Sequence, residues 1–94
     1  MYIRSQDGLY IVPLTFASIS IHNYIIHVTP FTGSSIRVGE YDSQEICRKV
    51  VDEIEERINR ATIDNFVYHM PSKESMQEFA DMNKSIQMLD KNII

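Results

Sequence analysis

The start and the apolar stripe of one helix constrain this chain more than any other feature. In segment 41–46, YDSQEI, either Asp42 or Ser43 can act as the N-cap, and Glu45 can reach back to Asp42 as in a capping box. Tyr41 can pack on Ile46 as a hydrophobic staple. The apolar positions of the stripe are Ile46, Cys47, Val50, Val51, Ile54 and Ile58. Because this spacing suits a helix that lays one face on a sheet, it predicts a helix over residues 43–60.

The first residues of the chain predict a β-hairpin. Asp7-Gly8 lies between two runs of β-favouring residues, 2–4 and 9–12. Such a dipeptide favours a type I′ turn, in which both central residues have positive φ. Pro13 cannot donate a ladder hydrogen bond, so the second strand should end there or lie at an edge.

Three further strands are predicted from alternation of apolar and polar residues. In segment 16–29 the alternation breaks at Asn23, which predicts either a tight reversal near His22-Asn23 with a strand returning over residues 24–29, or one long strand with a bulge. Pro30 and Gly33 favour a loop. A strand over residues 35–40 follows, and segment 66–70, FVYHM, predicts a short strand that returns to the sheet.

The C-terminal segment predicts a second amphipathic helix, capped by Ser72. Its apolar residues fall at the a and d positions of about two heptads. They are Phe79, Met82, Ile86, Leu89 and Ile93. The neighbouring e and g positions carry almost no complementary charge, so packing on the chain's own sheet and assembly with another chain both remain open.

These elements together predict an α+β fold. We expect an antiparallel sheet of about five strands, with helix 43–60 on one face and helix 73–92 on the other face or in an oligomer. In this scheme residues 1–71 form a β-rich domain, and residues 72–94 form a helix for docking or oligomerisation.

Composition restricts the classes of function. The 94 residues carry a net charge of −4 with nine Lys and Arg, which argues against broad binding of nucleic acid. Cys47 is the single cysteine, so no intrachain disulfide can form. No segment has the length and hydropathy of a signal peptide or membrane span, and we therefore expect a cytoplasmic protein without a membrane partner.

Residues with catalytic or ligand-binding chemistry are few and scattered. His22 and His27 have no third metal ligand nearby in sequence, and His69 alternates with buried-looking residues. Cys47 follows a helix N-terminus, where its pKa could fall, but it also borders the apolar stripe. No glycine-rich phosphate loop occurs around Gly33 or Gly39. We therefore expect no enzyme activity, cofactor, metal or small-molecule substrate.

The predicted helix also carries an acidic run. Its members are Asp52, Glu53, Glu55 and Glu56. Such a run could imitate a phosphate backbone toward a nucleic-acid-binding protein, although interleaved arginines and lysines favour an ordinary solvated helix face.

Several motifs of the chain resemble a group of small uncharacterised proteins of Firmicutes and of their phages and mobile elements. The matching positions are Ile3 to Gly8 (IRSQDG), Gly39 to Glu45 (GEYDSQE), Asp52 to Ile54 and Met70-Pro71. The resemblance covers about the first three quarters of the chain. It implies a sheet with one packed helix and supplies no activity or catalytic residue.

Three hypotheses of function follow. The leading one is a small non-enzymatic protein-interaction module, encoded by a phage or mobile element, that binds a protein partner or itself. The second is an acidic inhibitor of a host nucleic-acid-binding system, of the anti-CRISPR type, acting through the acidic run. The third is a small enzyme that uses Cys47 or a histidine.

Overall fold

The structure, a computed structural model, describes residues 1–60 and 66–77. Their elements are β1 (Tyr2–Arg4), β2 (Ile11–Pro13), β3 (Ala17–His22), β4 (Ile25–Pro30), β5 (Ile36–Glu40), α1 (Gln44–Arg60) and β6 (Val67–His69). A further helix begins at residue 73 and is described as far as residue 77. The α+β fold class is confirmed.

The strands form two sheets, in the orders β2-β1-β6 and β3-β4-β5. Strand β1 pairs antiparallel with β2 and parallel with β6, where Ile3 lies opposite Tyr68. The prediction of one antiparallel sheet of about five strands is therefore wrong. Parallel neighbours need a long connection, and here it contains β2 to β5 and α1, so short-range turn signals cannot reveal the pairing.

The first hairpin turns differently from the prediction. Positive φ occurs at Gly8 (77°) and not at Asp7, so the turn is not type I′. The Gly8 N–H donates to the Ser5 carbonyl at 2.9 Å. The Asp7 carboxylate accepts hydrogen bonds from the Ser5 hydroxyl at 2.6 Å and the Leu9 N–H at 2.9 Å. Asp7 therefore fixes the loop through its side chain, and only Gly8 adopts the left-handed backbone.

The second hairpin has the turn that was expected for the first. Asn23 and Tyr24 have φ of 51° and 64°, and they join the cross-strand neighbours His22 and Ile25. Two adjacent residues with positive φ are typical of a type I′ turn. The predicted reversal near His22-Asn23 is confirmed, and the alternative of one long strand is not.

Helix α1 begins close to its predicted start. Ser43 is the N-cap, because its Oγ accepts a hydrogen bond from the Ile46 N–H at 3.1 Å. Asp42, the other candidate, instead forms an ion pair with Lys73 at 3.2 Å. In the apolar stripe, Val51 is half-buried and Ile58 is 47 % exposed, and the other members are buried.

The second helix is described only in its first turn. The Ser75 N–H donates to Ser72 Oγ at 3.1 Å, which confirms the predicted cap. The five seam residues, Phe79, Met82, Ile86, Leu89 and Ile93, lie outside the described residues. Among the residues that are described, no helix has the length and apolar character needed to cross a membrane.

Both sheets and α1 contribute to the same core. Its buried apolar members are Ile3, Val12, Ile26, Val28, Val38, Tyr41, Ile46, Cys47, Val50, Ile54, Tyr68 and Met70. The Tyr41 hydroxyl lies within this region and donates to the Pro71 carbonyl at 2.8 Å, so the loop after β6 is tied to the segment before α1.

Candidate functional site

The outer edge of β5 is closed at Val38 and Glu40 by one residue, Gln6, through both its backbone and its side chain. The Gln6 N–H donates to the Val38 carbonyl at 2.7 Å. The Gln6 side-chain amide accepts from the Glu40 N–H and donates to the Glu40 carbonyl, both at 3.0 Å. It also reaches the Pro71 carbonyl at 3.3 Å. We call these hydrogen bonds the Gln6 clamp, and they occupy backbone groups that an added strand would otherwise use.

Along β3, at the opposite edge of the same sheet, the described residues supply no neighbouring strand. The Phe31 N–H donates to the Phe16 carbonyl at 3.0 Å. Since backbone groups alternate in direction along a strand, the N–H and C=O groups of Ala17, Ile19 and Ile21 point away from β4. Within residues 1–60 and 66–77, no backbone group forms a hydrogen bond with these outward-pointing groups. We call this unpaired side of Ala17–His22 the β3 edge.

The sequence of β3 lacks the devices that usually protect an edge strand. Natural edges are blunted by short length, by Pro, by bulges or by charged side chains, above all Lys. Strand β3 has six residues, ASISIH, without Pro, Gly or a Lys, Arg, Asp or Glu side chain. Strand β2, by contrast, has three residues and ends in Pro13. The β3 edge is therefore suited to accept another strand.

Two phenylalanines at the end of the β3–β4 hairpin are almost fully exposed. Phe16 is 84 % exposed and Phe31 is 86 % exposed, and we call them the aromatic pair. They are neighbours across the hairpin, joined by the hydrogen bond described above. Phe16 also has φ of 54°, a left-handed backbone that a bulky side chain rarely adopts. Such a conformation costs of order 1–3 kcal/mol and is found most often at functional positions.

The stretch of sequence that contains the aromatic pair is free of formal charge. Residues 8–36 contain no Asp, Glu, Lys or Arg, and strands β2, β3 and β4 all lie inside this range. Protein interfaces are depleted of charged residues at their centres and enriched in aromatic ones. The absence of charge over this range is a signal that could have located the surface from the sequence.

Two of the three histidines, His22 and His27, lie close together near the second turn. The rings of His22 and His27 are 5.8 Å apart, centroid to centroid, with an edge-to-face arrangement. Over the described ranges, no group of three or more His, Cys, Asp and Glu residues could hold a metal ion. His69 lies in the other sheet, where it is exposed and paired in register with Arg4.

Cys47 is an interior residue. Its side chain is fully buried in the core, and burial raises the pKa of its thiol. A raised pKa disfavours the thiolate, which is the reactive form of cysteine. Burial therefore works against the lowering of the pKa that a helix N-terminus would give Cys47.

The acidic run is divided between two environments. Asp52, Glu55 and Glu56 are exposed. Glu53 is half-buried beside Tyr68, where burial first, and then the charge of Glu53, raises the pKa of the tyrosine hydroxyl. Arg57 lies 3.9 Å from Glu53, and Arg60 lies 2.6 Å from Glu56. The four residues thus do not form one uncompensated acidic surface.

A groove of about 590 Å³ runs between the first hairpin and β5. Its charged side chains are Asp7, Arg37 and Glu40, and each already has a partner. Arg37 and Glu40 form an ion pair at 3.5 Å, while Asp7 accepts the hydrogen bonds of its own turn. These contacts stay within β5 and within the turn of the first hairpin, and they give each charged side chain of the groove a partner from its own element.

Comparisons with models of protein families, with curated proteins and with solved structures found no match. The candidate site is therefore defined by its own geometry, as the β3 edge together with the aromatic pair. Sequence reasoning placed the strands that carry it, but missed Phe16, Phe31 and the Gln6 clamp.

Proposed function

We propose that this chain is a small non-enzymatic protein-interaction module that binds a protein partner through the aromatic pair. The observation that carries the proposal is the exposure of Phe16 and Phe31, at neighbouring positions across the hairpin, at 84 % and 86 %. Aromatic side chains of this size dominate the binding energy of many interfaces, because each buries a large apolar area.

The backbone at Phe16 supports a role in binding rather than in folding. A glycine would adopt φ of 54° without strain, and an exposed phenylalanine gains little from packing in the isolated chain. The strained conformation therefore presents the ring at a cost in stability. Burial against a partner would offset that cost, since each fully buried Phe contributes roughly 1.5–3 kcal/mol.

The chemistry around the pair favours a protein over a lipid surface or a nucleic acid. Peripheral membrane proteins combine apolar side chains with Lys and Arg that attract anionic lipids, and nucleic-acid-binding proteins need the same basic residues. Residues 8–36 provide neither Lys nor Arg. We expect a partner with an apolar pocket bordered by polar, uncharged groups.

The resemblance to small proteins of Firmicutes, their phages and mobile elements supports an origin in a mobile element. The predicted C-terminal seam, Phe79 to Ile93, remains a second interaction element of the proposal. A chain ending at residue 77 tests it, because loss of partner binding with an intact fold would assign binding to the seam.

The acidic-inhibitor hypothesis has a separate test. If Asp52, Glu55 and Glu56 met a basic groove, reversing their charge would weaken binding strongly and in a salt-dependent manner. The pairing of Glu56 with Arg60 at 2.6 Å reduces the charge available for such a role. For this reason we place the acidic run second.

The experiment uses a photo-reactive phenylalanine analogue at position 31, with position 24 as the matched control. Both positions hold exposed aromatic residues, at opposite ends of the same hairpin. After illumination in cells of the source organism, we expect one defined protein adduct from position 31 and none from position 24. With that protein purified, Phe31→Ala should raise Kd at least tenfold, while Tyr24→Ala should change it less than twofold.

Three results would contradict the proposal. One is equal cross-linking from positions 24 and 31. Another is a Kd that is insensitive to Phe31→Ala. The third is binding of the purified chain to vesicles of neutral or anionic phospholipid that is lost in Phe31→Ala, because the aromatic pair would then be a membrane contact.

A further inference from the structure

We propose that the β3 edge pairs with the β3 edge of a second copy of this chain. The two strands run antiparallel about a two-fold axis at Ile19, and the two three-stranded sheets join into one of six strands. This inference uses the backbone of β3 and does not depend on the aromatic pair, so it stands or falls separately from the proposed function.

The hydrogen-bonding groups of the β3 edge are self-complementary in this register. Ala17, Ile19 and Ile21 direct their N–H and C=O groups away from β4, as argued above. About the axis at Ile19, Ala17 of one copy lies opposite Ile21 of the other, and Ile19 lies opposite itself. In antiparallel pairing each such couple exchanges two hydrogen bonds, so the junction contains about six.

The side chains also match across the axis. Ala17, Ile19 and Ile21 are half-buried and pack against the core on one face of the sheet. Pairing places these apolar side chains next to one another, which covers area that the single chain leaves in water. On the other face, Ser18 of one copy lies opposite Ser20 of the second. A slip of one residue would put serine against isoleucine, so the pattern disfavours that register.

Charge does not oppose the association. The chain has a net charge of −4, which favours separation of copies, but β3 carries no Lys, Arg, Asp or Glu. The two β3 strands therefore bring no like charges of their own together at the axis. The repulsion between the two negatively charged copies comes from residues outside β3, and salt screens such longer-range repulsion.

The other edges explain why the second copy uses β3 and why assembly stops at two. The edge of β5 is closed by the Gln6 clamp, β2 ends in Pro13, and β6 has only three residues. If β3 of one copy paired with a different strand of the next copy, each copy would keep a free edge and the assembly could grow without limit. Because β3 pairs with itself, the contact is symmetric and closed.

The dimer also bears on the proposed function. Phe16 lies three residues from the axis, so the two copies of Phe16 would be about 20 Å apart at roughly 3.3 Å per residue. A partner with two matching sites could then bind both aromatic pairs of the dimer. Its overall binding would be tighter than binding to a single aromatic pair.

The test pairs two charged double variants with opposite signs. One carries Ser18→Lys with Ser20→Lys, and the other carries Ser18→Glu with Ser20→Glu. In each variant alone, position 18 of one copy faces position 20 of the other with the same charge, which disfavours pairing. In an equal mixture, every such couple joins opposite charges. Ser34→Lys, in the exposed loop before β5, is the control for added charge on the same sheet.

Sedimentation velocity from micromolar to millimolar concentration measures the outcome, with circular dichroism to confirm that each variant is folded. We expect the unmodified chain and Ser34→Lys to form dimers, each double variant to be a monomer, and the mixture to recover the dimer mass. A monomeric unmodified chain at every concentration would overturn the proposal. So would double variants that remain dimeric, because another segment, such as the C-terminal one, would then form the contact.

Discussion

The two edges of sheet β3-β4-β5 have opposite chemistry. At β5, the clamp of Gln6 occupies Val38 and Glu40, so a residue from the first hairpin takes the place of a neighbouring strand. At β3, six residues without charge, Pro or Gly have outward backbone groups free among the described residues. In this sheet one residue, through its backbone N–H and its side-chain amide, occupies the outward groups of Val38 and Glu40. An edge that stays open beside it is therefore a candidate for binding.

The first prediction opens the closed edge. Gln6→Ala removes the side-chain hydrogen bonds to Glu40 and Pro71, and we expect a loss of about 2–3 kcal/mol in the free energy of unfolding. The Gln6 N–H would still bind the Val38 carbonyl, but the backbone groups of Glu40 would be free. This end of β5 can then pair with β3 of another copy, so assemblies larger than a dimer should form. Urea denaturation and light scattering measure the two effects.

Gln6→Glu is the matched control for this prediction. Its carboxylate can still accept from the Glu40 N–H but cannot donate to the carbonyls of Glu40 and Pro71. We therefore expect a stability between those of the unmodified chain and Gln6→Ala. If Gln6→Ala left both stability and mass unchanged, the clamp would not be what closes β5.

A second prediction tests the packing behind the closed edge. A Cβ at Gly39 would lie 2.9 Å from Met70 Cε and 3.1 Å from Tyr41 Cε2, both of which are buried side chains. Gly39→Ala should therefore lower the free energy of unfolding by about 1–2 kcal/mol through overpacking. Gly33→Ala is the control, because its Cβ would meet Pro30 at an ordinary 3.6 Å. Equal stability of the two variants would show that Met70 and Tyr41 leave room for a Cβ at position 39.

The third prediction concerns strain at the end of the open edge. Phe16→Gly should raise the free energy of unfolding by about 1 kcal/mol, because glycine adopts the positive φ of position 16 without a side-chain clash. On a domain of this size that is roughly 4–8 °C in Tm. Phe31→Ala removes a similarly exposed ring without relieving strain, and it should leave Tm nearly unchanged. A large destabilisation by Phe16→Gly would mean that the ring supports the fold.

The smallest expected effect is the pH dependence of the first hairpin, which holds Gln6 in place. Hydrogen bonds from the Ser5 hydroxyl, and then from the Leu9 N–H, lower the pKa of Asp7 from its ordinary value of 3.8. The stabilisation is therefore present above pH 3.8 and is lost as the pH falls below it. Asp7→Asn should be less sensitive to pH in this range. Thermal denaturation of the unmodified chain and of Asp7→Asn between pH 5 and pH 2.5 measures this difference. An equal fall in Tm for both proteins would contradict the assignment.

Local features were predictable from the sequence, and long-range ones were not. The stripe of α1 and the cap at Ser72 follow from short spacings, as does the reversal near Asn23. The choice between Asp42 and Ser43 was not decided, because either side chain can cap a helix. Two adjacent residues with left-handed backbone occur at Asn23-Tyr24 and not at Asp7-Gly8. At Asp7-Gly8, hydrogen bonds to the Asp7 side chain stabilise a different turn from the expected type I′.

The sheet arrangement and the site depended on contacts between distant segments. Pairing of β1 with β6 and the bonds of Gln6 to Glu40 each join residues more than thirty positions apart, and neither leaves a local pattern. Gln6 next to Asp7-Gly8 is indistinguishable from an ordinary turn residue. The absence of charge over residues 8–36 was visible in the sequence and marks the surface that includes the β3 edge and the aromatic pair.

Residue-resolved amide hydrogen exchange along β3 tests the difference between the two edges most directly. In dilute solution, where the chain is monomeric, we expect the N–H groups of Ala17, Ile19 and Ile21 to exchange rapidly while those of Ser18, Ser20 and His22 are protected by β4. The Gln6 N–H should be protected at all concentrations. As concentration rises, the three fast amides should become protected together. Uniform protection of all six β3 amides in dilute solution would contradict an open edge.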